Sequence, residues 1–259
     1  MDLNEDGTVN LEHLKSLIKD ETILVSINAV NSEIGILQPT DKIGKLIKEN
    51  SKAFFHVDAT QAIGKIKLDL TNIDLVSFTA HKFFGINGIG CLIKKDKIML
   101  EPLIHGGKST TIYRSGTPYL PLIVSMAKAL RLAYENIDDK YNHVLNLNKY
   151  LKENLEKYEN VYINSLNTSI PYVVNFSVVG VKPETLVHAL EEDEIYISTQ
   201  SACSSNNAFS KSVLSLTGSM DRAKSSVRVS ISYITTKEEI DTFLKAFDKC
   251  YKRLANENS

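Results

Sequence analysis

The chain is poor in cysteine. Its three, Cys91, Cys203 and Cys250, are odd in number and widely spaced, which excludes both a disulfide framework and a zinc cluster, so no metal site is expected. Long apolar runs are also missing. No stretch reaches the roughly 18 residues that a transmembrane helix needs. The acidic N-terminus lacks the basic-then-apolar pattern of a signal segment, and the chain reads as cytoplasmic. Net charge is nearly absent, at a formal −1, so neither nucleic acid nor an anionic membrane is expected as a partner. There are no repeats and no low-complexity segments.

What remains is an ordinary globular composition. An apolar fraction of 43% and a charged fraction of 24% can build a sizeable core, and 259 residues suit one large domain or two small ones. The opening "MDLNEDGTVNLEH" comes close to a calcium loop, with Asp2, Asn4, Asp6 and Gly7 at positions 1, 3, 5 and 6. Position 12, which needs a bidentate Glu, is His13. The stretch reads as an acidic turn closed by Gly7, before a helix capped near Asn10.

The first half alternates strands and helices. Helical spacing of Leu11, Leu14, Leu17 and Ile18 predicts a helix over residues 10–19. The β-branched apolar run at residues 22–28 reads as a buried strand, residues 53–58, 74–80 and 88–94 read as strands, and 40–50 as an amphipathic helix. That order predicts an α/β domain with a mainly parallel sheet. In the second half, residues 122–137 and 141–158 read as long helices. After them, "VYINS", "YVVNFSVV", "IYIST" and "SVRVSISY" read as strands, with helices from near Pro183 and Lys237. This is an α+β module. The expected division is residues 1–137 and 138–259.

Three stretches carry chemistry. "HVDATQ" puts Asp58 at the C-terminal end of a buried strand, the edge where α/β sheets bind ligands, although a strand-ending Asp can also simply cap a turn. "SFTAHKFFGINGIG" delivers Thr79, His81 and Lys82 to the same edge. A lysine beside apolar strands is costly to desolvate unless neutralised, and Schiff-base formation is one way to neutralise it; a surface lysine is the other reading. "STQSACSSNNAFS" surrounds Cys203 with small polar residues. Cys203 is either a nucleophile in an exposed loop or a small buried hydrophobe. Together they form a coherent set. An aspartate facing a protonated pyridine nitrogen about 4 Å away gains roughly 4 kcal/mol at an effective dielectric of about 20, which would hold the ring as an electron sink, as in pyridoxal phosphate chemistry.

The runs "NSEIGILQP", "HVDATQAIGK", "SFTAHKFFGINGIG", "HGGKSTTIYRSGTP", "SACSS" and "SSVRVSISYITT" resemble the cysteine desulfurases of the iron–sulfur assembly type, within the class V aminotransferases of pyridoxal-phosphate (PLP) fold type I. They follow the family's order along nearly the whole chain. The resemblance implies that Lys82 holds PLP covalently, Asp58 pairs with the pyridine nitrogen and Gln61 reaches the phenolic oxygen. Thr79 and His81 would bind the phosphate, and Thr117 would reach the phosphate of a neighbouring subunit in a homodimer. Arg228 would fork onto the substrate carboxylate. Cys203 would take sulfur from L-cysteine as a persulfide, releasing L-alanine, and its loop would carry that sulfur to an acceptor or iron–sulfur scaffold protein.

Departures from the family pattern are visible. Ser32 stands where a second asparagine usually contacts the ring oxygen, Gln200 replaces a glycine, and "KSTTIY" lacks an acidic–arginine pair. Relative to the family, roughly the first third is absent. It carries a helix start for the phosphate and the histidine that stacks on the ring. The expected fold is therefore an incomplete PLP-binding large domain followed by an α+β small domain, with apolar sheet edges left open. The start at Met1 reads as a truncated gene, a split gene or an internal start. The expected activity is cysteine desulfuration. The alternatives are another class V enzyme, such as an aminotransferase or selenocysteine lyase, or an inactive remnant or scaffold. "SACSS" favours desulfuration, because a transaminase needs no loop thiol.

Overall fold

A computed structural model describes residues 1–107, 111–200 and 208–257, with only the backbone given for 255–257. The chain divides into two compact units, Leu11–Ala29 with Pro39–Ile137, and Met1–Asn10 with Val30–Gln38 and Asp138–Ser259. Two short N-terminal segments thus cluster with the C-terminal half. Ser32 goes with them.

The first unit is built on a four-stranded sheet in the order β1-β2-β3-β4: β1 (Leu24–Asn28), β2 (Phe54–Asp58), β3 (Leu75–Thr79) and β4 (Gly90–Lys94). The first three strands run parallel and β4 is antiparallel to β3. β1 and β2 align residue for residue, so Leu24 faces Phe54 and Asn28 faces Asp58. Side chains alternate between faces with period two. Ile27, Phe55, Val57, Val76 and Phe78 are buried on one face. Ile43 and Ile47 of helix α2 (Thr40–Asn50) are fully buried as well. The other face carries Leu24, Ser26, Phe54, His56, Ser77 and Leu92, of which Leu24, Phe54 and Leu92 remain 40–52% exposed. Residues 22–28 read as a buried strand; in β1 only Ile27 is buried, and Leu24 is 48% exposed. Asp74, 6% exposed, pins β2 to β3, since its Oδ2 accepts the Phe55 N–H at 3.0 Å while Lys95 Nζ lies 3.3 Å from Oδ1. The unit also contains α1 (Leu11–Leu17) and α3 (Leu120–Tyr134).

The second unit has a three-stranded antiparallel sheet, β5 (Val161–Ile163), β6 (Val173–Val178) and β7 (Ser226–Ser230), in that order. Its helices are α4 (Ile137–Leu155), α5 (Pro183–Glu191), α6 (Lys211–Thr217), α7 (Met220–Lys224) and α8 (Lys237–Glu257). One sheet face is apolar. Phe176 meets Phe247 of α8 edge-on at 5.6 Å, and Tyr158 meets the same ring at 5.1 Å. "IYIST" forms no strand; among the described residues Ser198 alone pairs there, as an isolated bridge to Arg228. The edge of β7 is thereby reached by a loop rather than a fourth strand. In the acidic opening turn, Asp6 Oδ1 accepts from Thr8 N at 2.9 Å and Thr8 Oγ1 at 2.6 Å. Gly7 has φ +76°, and a Cβ there would meet Ile36 Cδ1 at 2.1 Å, so glycine is needed for both backbone and space. The turn is spent on folding back over Ile36.

Two stability measurements follow. Phe247→Ala should cost about 3–5 kcal/mol in denaturant unfolding, because it empties the centre of an aromatic cluster. Burial raises the Tyr172 phenol to about 12, with a smaller contribution from Tyr141. The folded pKa lies above the unfolded value near 10, so this stabilisation is complete below about pH 10 and is lost as pH climbs toward 12. Wild type should lose roughly 2–3 kcal/mol across that window relative to Tyr172→Phe, measured as the difference between their unfolding free energies.

Candidate functional site

In the sheet unit, chemistry gathers where the parallel strands end. The register sets Asn28, Asp58 and Ser77 side by side. Asp58 is exposed, and its Oδ1 accepts the Thr60 N–H at 2.9 Å, closing the turn that follows β2. The capping reading of Asp58 is therefore true of one oxygen. Gln61 lies in that turn, and its Oε1 accepts from Lys65 Nζ at 2.7 Å. The amide is thus oriented with its NH2 as the remaining polar group. β3 delivers Thr79, whose Oγ1 donates to Ile89 O at 3.2 Å and lies 3.0 Å from His81 Nδ1. His81 and Lys82 follow in a 3-10 turn, Ala80–Phe83, and both are exposed. Lys82 makes no hydrogen bond or ion pair among the described residues. Phe84 takes φ +65° to close the turn, with its N–H donating to Ala80 O. Thr117 lies on an irregular, exposed segment just before α3, and among the described residues no hydrogen bond joins it to the strand-end group.

One row below Asp58, His56 bridges three strands. Its Nδ1 lies 2.8 Å from Ser26 Oγ and its Nε2 lies 3.0 Å from Ser77 Oγ. Sequence reading missed this tie. The signal was available in the period-two spacing of His56 and Asp58.

In the second unit the polar face of the small sheet carries Arg228. One guanidinium nitrogen, Nη1, donates to Ser32 O at 2.9 Å, while Nε is buried without an acceptor among the described residues. Burial pulls the Arg228 pKa below the usual arginine range, and the Glu33 charge opposes that shift. Glu33 is itself only 5% exposed. Its Oε2 accepts from Ser210 Oγ at 2.6 Å, and Ser210 also caps α6 by accepting from Val213 N at 3.1 Å. The Glu33 carboxylate thus ties segment 30–38 to the start of α6, and its charge also acts on Arg228. Ser32 takes part through its backbone oxygen. Cys203 lies outside the described residues, as do Lys108, Ser109 and Thr110.

This is a mainly parallel sheet unit with an acid and a lysine at its strand ends, accompanied by an α+β unit that carries a half-buried arginine. Comparison with known proteins gives the family. The aminotransferase class-V family profile matches residues 1–243. A "NifS/IcsS protein homolog" of Lactobacillus delbrueckii subsp. bulgaricus is 39% identical over 99% of this chain and 68% of its own length. A "Cysteine desulfurase IscS" of Buchnera aphidicola subsp. Schizaphis graminum is 40% identical over 96% of this chain and 62% of its own. The crystal structure of a NifS-like protein from Rickettsia africae superimposes with a TM-score of 0.87 at 30% identity, covering 97% of this chain and 69% of that one. The chain belongs to the class-V aminotransferase family and has its fold, PLP fold type I. It spans about two thirds of the length of these relatives. Among the described residues no helix is long and apolar enough to cross a membrane.

Ser210→Ala removes both the α6 cap and the bond to a buried carboxylate. Unfolding should become easier by about 2–3 kcal/mol, measured by urea titration; a loss under about 0.5 kcal/mol would show that Glu33 finds full compensation elsewhere.

Proposed function

We propose that this protein is a PLP-dependent cysteine desulfurase of the cytoplasm. It would take sulfur from L-cysteine, release L-alanine, and pass the sulfur through Cys203 to an acceptor protein such as an iron–sulfur scaffold. The observation that carries this reading is the exposed Asp58 carboxylate at the end of β2 together with the exposed Lys82 just beyond β3, which makes no hydrogen bond or ion pair among the described residues. The relatives named above support it.

The residues fit the cofactor. Thr60 occupies one oxygen of Asp58, which leaves the other for a protonated ring nitrogen. Lys65 occupies Gln61 Oε1, which leaves an N–H donor for the phenolic oxygen. Thr79 and His81 offer polar atoms to the phosphate, and Lys82 the amine for the aldehyde carbon. Bound there, the ring would supply an electron sink for charge developing on the substrate. Arg228 orients the substrate by its carboxylate, and Ser32 holds Arg228 through its carbonyl. In this reading Ser32 also borders the ring, and residues 1–137 and 138–259 act as the large and small domains. Thr117 of a second copy would complete the phosphate site in a homodimer. Cys203 is the sulfur-accepting nucleophile, which loses its proton to attack and carries the sulfur away as a persulfide.

The test is direct. Purified protein with added PLP should show a band near 400 nm that Lys82→Ala abolishes. With L-cysteine and excess dithiothreitol it should yield sulfide and L-alanine in equal amounts. Cys203→Ser should keep the band and lose at least about 100-fold in sulfide release. Sulfide release unchanged in Cys203→Ser would remove Cys203 from the mechanism, and the absence of any band would overturn the PLP assignment.

A further inference from the structure

The polar face of the β5-β6-β7 sheet contains a chain of hydrogen bonds whose direction is forced. Arg222 can only donate. Its Nε and Nη2 reach Asn164 Oδ1 at 2.9 and 2.7 Å, and Nη2 also reaches Ile163 O at 2.8 Å. The oxygen of the Asn164 amide must therefore face Arg222, and its NH2 must face away. That NH2 donates to Asn175 Oδ1 at 2.7 Å and to Ser177 Oγ at 2.8 Å. Ser177 Oγ in turn donates to Arg222 O at 2.7 Å. Flipping Asn175 would set two NH2 groups against each other, and flipping Asn164 as well would set an NH2 against a guanidinium. One orientation survives, and in it the Asn175 NH2 points away from Asn164.

That NH2 has no acceptor among the described residues, although Asn175 is only 1% exposed. A buried donor left unmatched is expensive and rare. Its directly opposed partner in the β6–β7 register is Arg228, so the two side chains leave the same face of the sheet about 5 Å apart at their Cβ atoms. The Nε of Arg228 is the other buried side-chain nitrogen without an acceptor in this group. Two unmatched donors stand next to each other, and Arg222 holds one of them in its donating sense from the far side.

We infer that Asn175 is a second carboxylate-binding residue, donating through Nδ2 to the same carboxylate that Arg228 holds. This rests on the reading of Arg228 as the substrate-carboxylate residue. Asn175 would then raise selectivity for ligands that bear a carboxylate, and Arg222 and Asn164 would act as positioning residues that stop the amide from turning its oxygen toward that anion.

The experiment compares binding of L-alanine and of ethylamine, which lacks the carboxylate, to the PLP-loaded protein by titration calorimetry. Wild type should prefer L-alanine. Asn175→Ala should weaken L-alanine binding about tenfold and leave ethylamine binding unchanged, whereas general damage to the fold would weaken both. Should Asn175→Ala fail to fold, the isosteric Asn175→Asp keeps the acceptor for Asn164, replaces the donor by an anion, and should lose still more of the preference. Undiminished preference in these variants overturns the role of Asn175 and leaves the proposed function standing. No preference in wild type overturns the Arg228 reading and this inference with it. A crystal of the wild-type protein soaked in L-alanine reports independently of any variant. A carboxylate oxygen within about 3.2 Å of Asn175 Nδ2 is expected, and a water there with the carboxylate elsewhere overturns the assignment.

Discussion

The parallel backbone ladder joining β1, β2 and β3 is the constraint on which the strand-end site depends. Because Asn28, Asp58 and Ser77 are register partners, their side chains reach the same edge at the same height. A slip of one residue in either pairing would turn Asp58 toward the face where Phe55 and Val57 are buried. Two side-chain devices reinforce the register. Asp74 holds the start of β2 through the Phe55 N–H, and His56 spans Ser26 and Ser77 in the row beneath Asp58. The strands deliver reactive groups because local polar contacts and a buried apolar face agree on one alignment.

The smaller sheet solves a different problem. Its apolar face is a conventional core of Phe176, Phe247 and neighbouring aromatics. Its other face is polar and nearly as deeply buried, with Asn164, Asn175, Ser177 and Ser226 each at most 2% exposed. Polar groups in that position are tolerable only when matched. Arg222 begins the matching and Asn164 transmits it. The mismatch that survives falls beside Arg228, where Glu33 also offsets the cost of burying the guanidinium. Burial, charge compensation and donor direction thus converge on one side chain.

Much of this was legible in the chain. The alternation of strands and helices, the residues at the strand ends and the order of the six family runs needed no coordinates. "IYIST" was misread as a strand because β-branched composition signals propensity and not the presence of a pairing partner; only Ser198 finds one. The run containing β1 reads as a buried strand from its β-branched composition, whereas Leu24 is about half-exposed. Asn175 and Ser177 were visible as a period-two polar interruption in "YVVNFSVV". Their meaning was not visible, since it depends on Arg222, a residue 45 positions beyond Ser177 in the chain.

Sequence alone determined the local chemistry: which residue types stand at the ends of which strands, where glycine must turn the backbone, and which family pattern the chain follows. These follow from near-neighbour sterics and from periodicity, which are properties of short stretches. Tertiary structure alone decided the unit to which residues 30–38 belong, the bridge made by His56, the burial of Glu33 beside Arg228 and the direction in which the Asn175 amide points. Each of these depends on groups far apart in the chain meeting in space, and hydrogen-bond direction is set by the partner that has no choice.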